Sequence, residues 1–79
     1  MLETALEHLI KGIVEHPDDV AVDRRTGRRG TTLEVRVHPE DTGKVIGRNG
    51  RTVKALRTVI NAVGGRGIRV DILDADERR

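Results

Sequence analysis

The stretch Gly43-Lys44-Val45-Ile46-Gly47-Arg48-Asn49-Gly50-Arg51-Thr52-Val53-Lys54 decides the fold of this chain. It places a Gly-x-x-Gly turn between a short apolar segment and a basic amphipathic segment. Gly47 and Gly50 permit backbone angles and close approaches that a Cβ would forbid. Between them, Arg48 and Asn49 offer a cation and an amide. A turn of this kind, opening onto the positively polarised start of a helix, suits a sugar-phosphate backbone.

Before this turn, the apolar pattern predicts a helix and a pair of strands. Apolar residues recur at helical spacing over about 2–15, and His16-Pro17 ends this helix because a residue that precedes proline avoids the helical region. A short strand is predicted from Val20 to Val22, running into arginines, and glycines mark a turn over 26–30. Strict alternation over 33–37 then predicts a half-buried strand, with Glu34 on its solvent side.

After the second strand, the pattern predicts two helices and a last strand. Proline and acids at 39–41 begin a short helix over about 40–46, which Gly47 stops. A second apolar stripe predicts a helix over 51–63, ended by Gly64-Gly65. Alternation over 68–73 predicts a strand, and residues 74–79 are expected to fray. The whole chain, 1–79, therefore reads as one two-layer α+β domain, with a three-stranded sheet and helices on one face.

Composition limits what this domain does. Its 79 residues include no Phe, Tyr or Trp, so the core must be aliphatic and small, and oligomerisation would help to stabilise it. The same absence excludes aromatic platforms for stacking bases. Without Cys there is no disulfide framework. No apolar run approaches the roughly 18 residues of a membrane span, and no signal pattern opens the chain. We therefore expect a cytoplasmic protein that does not enter a membrane.

Charge is distributed unevenly along the chain. Residues 24–69 carry twelve Lys or Arg against three acids, whereas the segments on both sides are acidic. The basic segment contains the glycine turn, and this coincidence indicates a polyanionic partner. A second cluster, made of Arg24, Arg25, Arg28 and Arg29, has two open interpretations: another phosphate contact, or a soluble hairpin tip.

The run from Val45 to Leu56 resembles the helix–GxxG–helix signature of KH domains, with aliphatic, basic and glycine residues in register. The order of the predicted elements is similar to the type II, bacterial KH arrangement, α-β-β-α-α-β, and the resemblance covers nearly the whole chain. Within the family, the chain resembles the small, stand-alone bacterial proteins of the KhpA type. This resemblance implies a single-stranded RNA-binding protein, of the RNA chaperone or post-transcriptional regulator type, that grips about four nucleotides.

The resemblance also implies which residues bind RNA. They are Lys44, Ile46, Gly47, Arg48, Asn49, Gly50, Arg51, Val53 and Lys54. The main chain of the turn would lie against successive phosphates, with Arg48 adding a charge-assisted contact. The other three cations would line the rim, and Ile46 and Val53 would wall the groove. Either of these two residues could instead belong to the core, and for Val53 the two interpretations are equally compatible with the sequence. Any of the three rim cations could equally be a solvated surface charge.

Pairing is the second implication of the resemblance. Family members of this kind associate with themselves and with a second, larger KH protein of the Jag type, so a homodimer or heterodimer is expected, and two linked grooves would raise the effective affinity. Two alternative functions stay open. One is a protein–protein interaction or dimerisation module whose basic face meets an acidic partner, and the other is binding of single-stranded DNA.

Several other functions are excluded by the residues present. The turn is not a Walker A loop, because Gly50 is followed by Arg51-Thr52, and it does not match the dinucleotide-binding pattern. The absence of Ser, Cys and Tyr removes the common nucleophiles, so no enzymatic activity is expected. His8, His16 and His38 lack the spacing of a metal-binding pair. We therefore predict no metal, no cofactor and no small-molecule substrate.

Overall fold

The computed structural model describes residues 2–64 and 67–74. In this part of the chain the helices and strands are α1 (Leu2–Lys11), β1 (Ala21–Gly27), β2 (Gly30–Val37), α2 (Thr42–Ile46), α3 (Arg51–Gly64) and β3 (Arg69–Asp74). Single 3-10 turns at Pro17–Asp19, Pro39–Asp41 and Arg48–Gly50 precede β1, α2 and α3. This order confirms the predicted α-β-β-α-α-β arrangement and its α+β class.

The three strands form one mixed sheet in the order β1-β2-β3. β1 and β2 are antiparallel, with Gly27 opposite Gly30, so Arg28 and Arg29 alone make the hairpin loop. β2 and β3 are parallel, and a parallel pair needs a long crossover connection. That crossover consists of α2, the glycine turn and α3. As a result, α3 runs back along the sheet, from the end of β2 towards the start of β3.

The core lies between the sheet and the two longer helices. Alternate residues of β2 face it, and both predicted helical stripes contribute to it. Its buried aliphatic residues are Leu6, Ile10, Val20, Leu33, Val35, Val37, Val45, Leu56, Ile60, Ile68 and Val70. Complete burial of one such side chain stabilises a fold by about 1.5–3 kcal/mol. Because the core is aliphatic throughout, it holds α2 and α3 against the sheet by van der Waals packing of side chains.

The first helix is shorter than predicted. It ends at Lys11 rather than near 15. Gly12 weakens the helix at this point. The next amide, Ile13 N, donates to Ile10 O, three residues back, at 2.9 Å. Beyond that point the side chain of Asp41 accepts hydrogen bonds from the amides of Glu15 and His16. These two amides therefore donate to a side chain 26 and 25 positions away in the sequence, and not to carbonyl groups of a continuing helix.

The second strand is buried at one position of its outer face, Glu34, which the sequence pattern did not predict. Glu34 was expected on the solvent side but is only 2% exposed. On that outer face Asp23, Glu34 and Asp71 stand side by side across the three strands. The Arg25 Nε donates to Glu34 Oε1 at 2.7 Å, which supplies a charged partner for the buried carboxylate. The expectation of a half-buried strand was wrong at this position.

The last strand departs from simple alternation near its end. Val70 is buried as expected, but Leu73 is buried while Ile72 is only partly so. Asp74 is the last residue of β3 and accepts a hydrogen bond from the Thr42 hydroxyl, which joins β3 to the start of α2. The remainder of the tail predicted to fray, 75–79, lies outside the described residues, as does Gly65 of the predicted helix end.

Candidate nucleic-acid interface

The turn between α2 and α3 has left-handed backbone angles at three of its four residues. Gly47 has φ 78°, Asn49 has φ 56° and ψ 26°, and Gly50 has φ 75°. Glycine adopts such angles freely, and asparagine is among the few other residues that tolerate them. Gly47 N donates to Gly43 O at 2.9 Å, and Gly50 N donates to Gly47 O at 3.1 Å. The chain therefore reverses direction within one turn.

The two glycines are required for different reasons. A Cβ on Gly47 would lie 2.8 Å from the amide nitrogen of Thr52, so the first glycine is needed for close packing as well as for its angle. A Cβ on Gly50 would meet nothing nearer than Val53 Cγ1 at 4.0 Å. The second glycine is therefore needed for its angle alone. Together they press the start of α3 against the turn.

The turn is open to solvent, as a clamp on a polymer must be. Arg48 and Asn49 are exposed, and the glycines on both sides of them are half-buried. Arg51 and Lys54, on the first turns of α3, are also exposed. The 14-residue α3 directs the positive end of its dipole at this point. The exposed main chain of Arg48 and Asn49, a helix start and three cations therefore lie together at one accessible bend.

Lys44 lies on the side of α2 that faces the loop after α1. Its Nζ is 2.7 Å from Glu15 Oε1. The hydrogen bond from Lys44 lowers the pKa of the Glu15 carboxyl, and the same bond raises the pKa of the Lys44 ammonium. Lys44 is still 44% exposed. A phosphate would therefore compete with Glu15 for Lys44. The predicted contacts at Arg48 and Arg51 do not involve this competition with Glu15.

The two aliphatic residues of the predicted groove differ in burial. Ile46, the last residue of α2, is 36% exposed. Val53 is partly buried and packs against the core. Ile46 thus presents an apolar surface beside the turn, whereas Val53 reaches both the surface and the core.

Asp41 anchors α2, a role that the sequence interpretation missed. Its carboxylate is 1% exposed and accepts from Glu15 N at 3.2 Å, His16 N at 2.9 Å and His16 Nδ1 at 3.0 Å. Burial raises the pKa of this carboxyl, but these three hydrogen bonds outweigh burial and leave the pKa below its usual value. The adjacent acids 40 and 41 had been interpreted as a helix start only. No local pattern indicates a partner so far away in sequence.

A second basic region, also missed, lies at the other end of α3. Arg57 and Asn61 of this helix, with Arg29, Gly67, Ile68, Arg69 and Asp71, line a cleft of about 740 Å³. Lys54, Arg57 and Asn61 follow one another at helical spacing, so the cations of α3 lead from the glycine turn towards this cleft. Of the cations in this stripe, we predicted RNA contacts only for Arg51 and Lys54.

Three of the four hairpin arginines lie together. Arg25, Arg28 and Arg29 line an open cleft with Arg69, and Arg25 also bonds Glu34. Arg24 Nε instead lies 3.8 Å from Glu3 Oε1 of α1. The tip of the hairpin lies beside α3 at the cleft that Arg57 and Asn61 line, and not beside the glycine turn.

Among the residues described, none of the helices has the length and apolar character that crossing a bilayer demands.

Comparison with known proteins agrees with this architecture. A family model described as "KhpA/KhpB, KH domain" matches residues 3–72. A protein named RNA-binding protein KhpA from Streptomyces coelicolor is 70% identical over 79 residues, covering all of both chains. One of the same name from Mycobacterium tuberculosis is 64% identical over 73 residues, 92% of this chain and 91% of the relative. Another, from Halalkalibacterium halodurans, is 45% identical over 76 residues, 92% of this chain and 100% of the relative.

Membership of such a family agrees with the prediction that the chain is not an enzyme. The family model spans the helix, the sheet and the glycine turn together rather than the motif alone. The chain therefore belongs to the KhpA/KhpB KH-domain family.

Proposed function

We propose that this chain is a single-stranded RNA-binding protein that grips about four nucleotides at the turn from Gly47 to Gly50. The observation that carries the proposal is this exposed bend, with three left-handed residues at the start of a basic helix. Relatives that match the whole chain at 70% identity are named RNA-binding proteins. The chain would act as an RNA chaperone or post-transcriptional regulator in the cytoplasm.

In this proposal the main chain of the turn does the gripping. The exposed main chain of Arg48 and Asn49 and the dipole of α3 would face the phosphates, and Arg48 would add a charge-assisted hydrogen bond of about 1.5–3 kcal/mol. Arg51 and Lys54 contribute further charge along the rim. Because the chain has no aromatic residue, bases would contact aliphatic side chains, with Ile46 and Val53 as the wall.

The same strand would continue along α3. Lys54 and Arg57 lie on one face of this helix, and the cleft lined by Arg57, Asn61 and Arg69 follows them. The ten helical steps from residue 51 to residue 61 span about 15 Å, so only an RNA longer than the clamped segment would reach the cleft. Longer RNAs should therefore bind more tightly than tetranucleotides, and with a steeper dependence on salt.

A paired charge-reversal experiment tests the clamp. The test variant is Arg48→Asp/Asn49→Asp, and the control is Thr26→Asp/Arg28→Asp at the hairpin tip, which makes the same change in net charge at the other end of α3. With labelled single-stranded RNA, we expect the turn variant to lose at least about tenfold in affinity, as the loss of one charged contact implies. The control should lose less than about threefold, since it removes charge but no clamp contact.

Circular dichroism of both variants separates a lost site from a lost fold. If the turn variant stays folded and binds RNA as tightly as the wild type, the clamp assignment is wrong. Equal losses in both variants would point to general charge attraction instead of a site. A parallel titration with DNA of the same sequence measures how much the 2′-hydroxyl contributes, and therefore which nucleic acid the site prefers.

We also propose that the chain works as a pair, either with a second copy or with a larger KH protein of the Jag type. Val59 and Val63 of α3 are 46% and 71% exposed, and Leu9 of α1 is 40% exposed. Exposed aliphatic residues at helical spacing suit an interface. Sedimentation should show a concentration-dependent dimer that Val59→Asp/Val63→Asp abolishes. A monomer at high concentration, with or without the partner, would remove this proposal.

A further inference from the structure

Two histidines that are far apart in sequence meet beside the start of α2. The rings of His16 and His38 are stacked, with centroids 3.9 Å apart and planes inclined by 14°. Glu40 lies two residues after His38. Its Oε1 is 3.6 Å from His16 Nε2 and 3.8 Å from His38 Nδ1. One ligand atom of each of the three residues lies within 4.8 Å of the others. This grouping belongs to neither the glycine turn nor the basic cleft.

We propose that His16, His38 and Glu40 form a binding site for a divalent transition-metal ion of the zinc type. Two imidazole nitrogens and one carboxylate oxygen are a ligand set that Zn²⁺ and Co²⁺ accept, with water completing a tetrahedral shell. Mg²⁺ and Ca²⁺ prefer sites built from oxygen alone. The proposal departs from the sequence-based expectation of no metal site, which considered spacing along the chain and could not foresee this contact.

The hydrogen bonds of His16 prepare it to act as a ligand. Its Nδ1 lies 3.0 Å from Oδ2 of Asp41, a carboxylate that is 1% exposed and held by two backbone amides as well. An ionised carboxylate only accepts, so the proton sits on Nδ1 and the Nε2 lone pair faces Glu40. A carboxylate that orients a histidine in this way is the usual outer partner of a metal-binding imidazole. Asp41 would thus position the ligand without contacting the ion.

His38 is oriented from the backbone. Its Nδ1 accepts a hydrogen bond from Glu40 N at 3.0 Å, which keeps this nitrogen unprotonated and turned towards Glu40. An ion bound at Nδ1 would displace that bond, at small cost because the contact is exposed and water would replace it. Ligand atoms of a tetrahedral zinc site lie about 3.3 Å apart. Because the two rings are stacked, their in-plane lone pairs run side by side, so the ring of His38, which is 31% exposed, must rotate out of the stack for both nitrogens to meet one ion. Glu40 is 73% exposed, so its side chain is free to follow.

The surrounding charges favour a dication. Glu15, Glu40 and Asp41 lie around the site, and Lys44, a cation of the neighbouring α2, is paired with Glu15 at 2.7 Å. Binding would join the loop after α1 to the residues that lead into α2. Because an ion held this way binds the folded chain better than the unfolded one, it would raise the melting temperature. Metal occupancy would thereby stabilise the helix that precedes the glycine turn.

The test uses the full chain, free of any affinity tag and stripped with chelator. Zn²⁺ alone is added while ¹⁵N ring signals of the histidines are followed by NMR, and Co²⁺ alone is added for absorption spectroscopy. We expect saturation at one ion per chain, large shifts for His16 and His38, little change at His8, and a tetrahedral cobalt spectrum. Mg²⁺ at the same concentration should produce none of these changes.

Variants locate the site. Glu40→Gln and His16→Gln should each weaken Zn²⁺ binding by at least about tenfold, the lower range expected when a zinc site is damaged. His8→Gln, which alters a histidine on the outer face of α1, should bind as the wild type does. If His16→Gln fails to fold, Glu40→Gln decides, because its side chain is largely exposed. Wild-type affinity in Glu40→Gln, or equal weakening in His8→Gln, would overturn the proposal, as would shifts confined to His8.

Discussion

Gly47 packs so tightly against Thr52 that a Cβ on the glycine would lie 2.8 Å from the Thr52 amide nitrogen. Since a backbone atom cannot move aside as the end of a side chain can, Gly47→Ala must both strain its φ of 78° and push α3 away from the turn. We expect a loss of about 2–4 kcal/mol in the free energy of unfolding. Gly50→Ala, with φ 75° but open space around it, should lose only about 1–2 kcal/mol.

Urea unfolding of the two variants beside the wild type measures this difference. Because Gly50→Ala keeps the packing of the turn, its RNA affinity should also be better preserved than that of Gly47→Ala. Equal losses of stability would mean that the angle alone matters and that the contact with Thr52 contributes nothing.

The features predicted correctly from the sequence depend on neighbours within a few residues. The stripe of α3 and the glycine turn are local patterns that appear where they were expected, and α1 and β2 are present with a shorter end and a buried Glu34 respectively. The errors came from long-range contacts. Asp41 accepts hydrogen bonds from amides at the predicted end of α1, Arg25 bonds the buried Glu34, and the ring of His16 stacks on the ring of His38. None of these pairs has a signature in either segment taken separately.

The candidate site shows the same division. The turn residues were predicted because spacing, charge and glycine placement coincide within eight positions. The cleft at the far end of α3 was missed because Arg29, Arg57 and Arg69 come from three separate elements. Their proximity follows from the parallel pairing of β2 with β3 and the return path of α3, which sequence periodicity does not specify.

Asn61 joins the end of α3 to the start of β3. Its Nδ2 donates to Ile68 O at 3.0 Å and to Arg57 O at 2.8 Å, and its Oδ1 accepts from Ile68 N at 3.1 Å. Asn61→Ala would leave both backbone groups of Ile68 without this partner, so we expect a loss of about 1–3 kcal/mol in unfolding free energy. Thr58→Ala is the control: its exposed hydroxyl bonds only Lys54 O of its own helix, and its removal should be nearly neutral. Similar unfolding midpoints for both variants would contradict the assignment.

Two ion pairs on the outer face of the sheet should differ in their contribution to stability. Arg25 bonds the buried Glu34, whereas Arg36 bonds Asp23, whose side chain is 55% exposed. Replacement by Met keeps the aliphatic stem of each arginine and removes its charge. Arg25→Met should cost about 1–3 kcal/mol, because the carboxylate that it bonds is buried. Arg36→Met should cost under about 1 kcal/mol, as exposed pairs do. Thermal unfolding compares them, and the reverse order would refute this interpretation.

Arg57 should matter only for RNAs long enough to reach the cleft. Because its position on α3 lies beyond the clamped segment, Arg57→Gln should leave the affinity for a tetranucleotide unchanged. For a twelve-nucleotide single strand, it should lower affinity several-fold and reduce the slope of affinity against salt by about one charge. Fluorescence anisotropy at several salt concentrations gives both quantities. A loss that is the same for short and long RNAs would place Arg57 in the clamp instead.

Ile46 and Val53 were both predicted to wall the nucleotide groove, and their burial separates them. Ile46 is 36% exposed and is not part of the buried core cluster, so Ile46→Ala should reduce RNA affinity and cost less stability than Val53→Ala. Val53 also packs against the core, so Val53→Ala should lose about 1–2 kcal/mol of stability in addition to any loss of binding. Each variant needs urea unfolding and an RNA titration on the same preparation. If Ile46→Ala binds RNA as the wild type does, the bases do not lie against α2, and the groove must be sought along α3 alone.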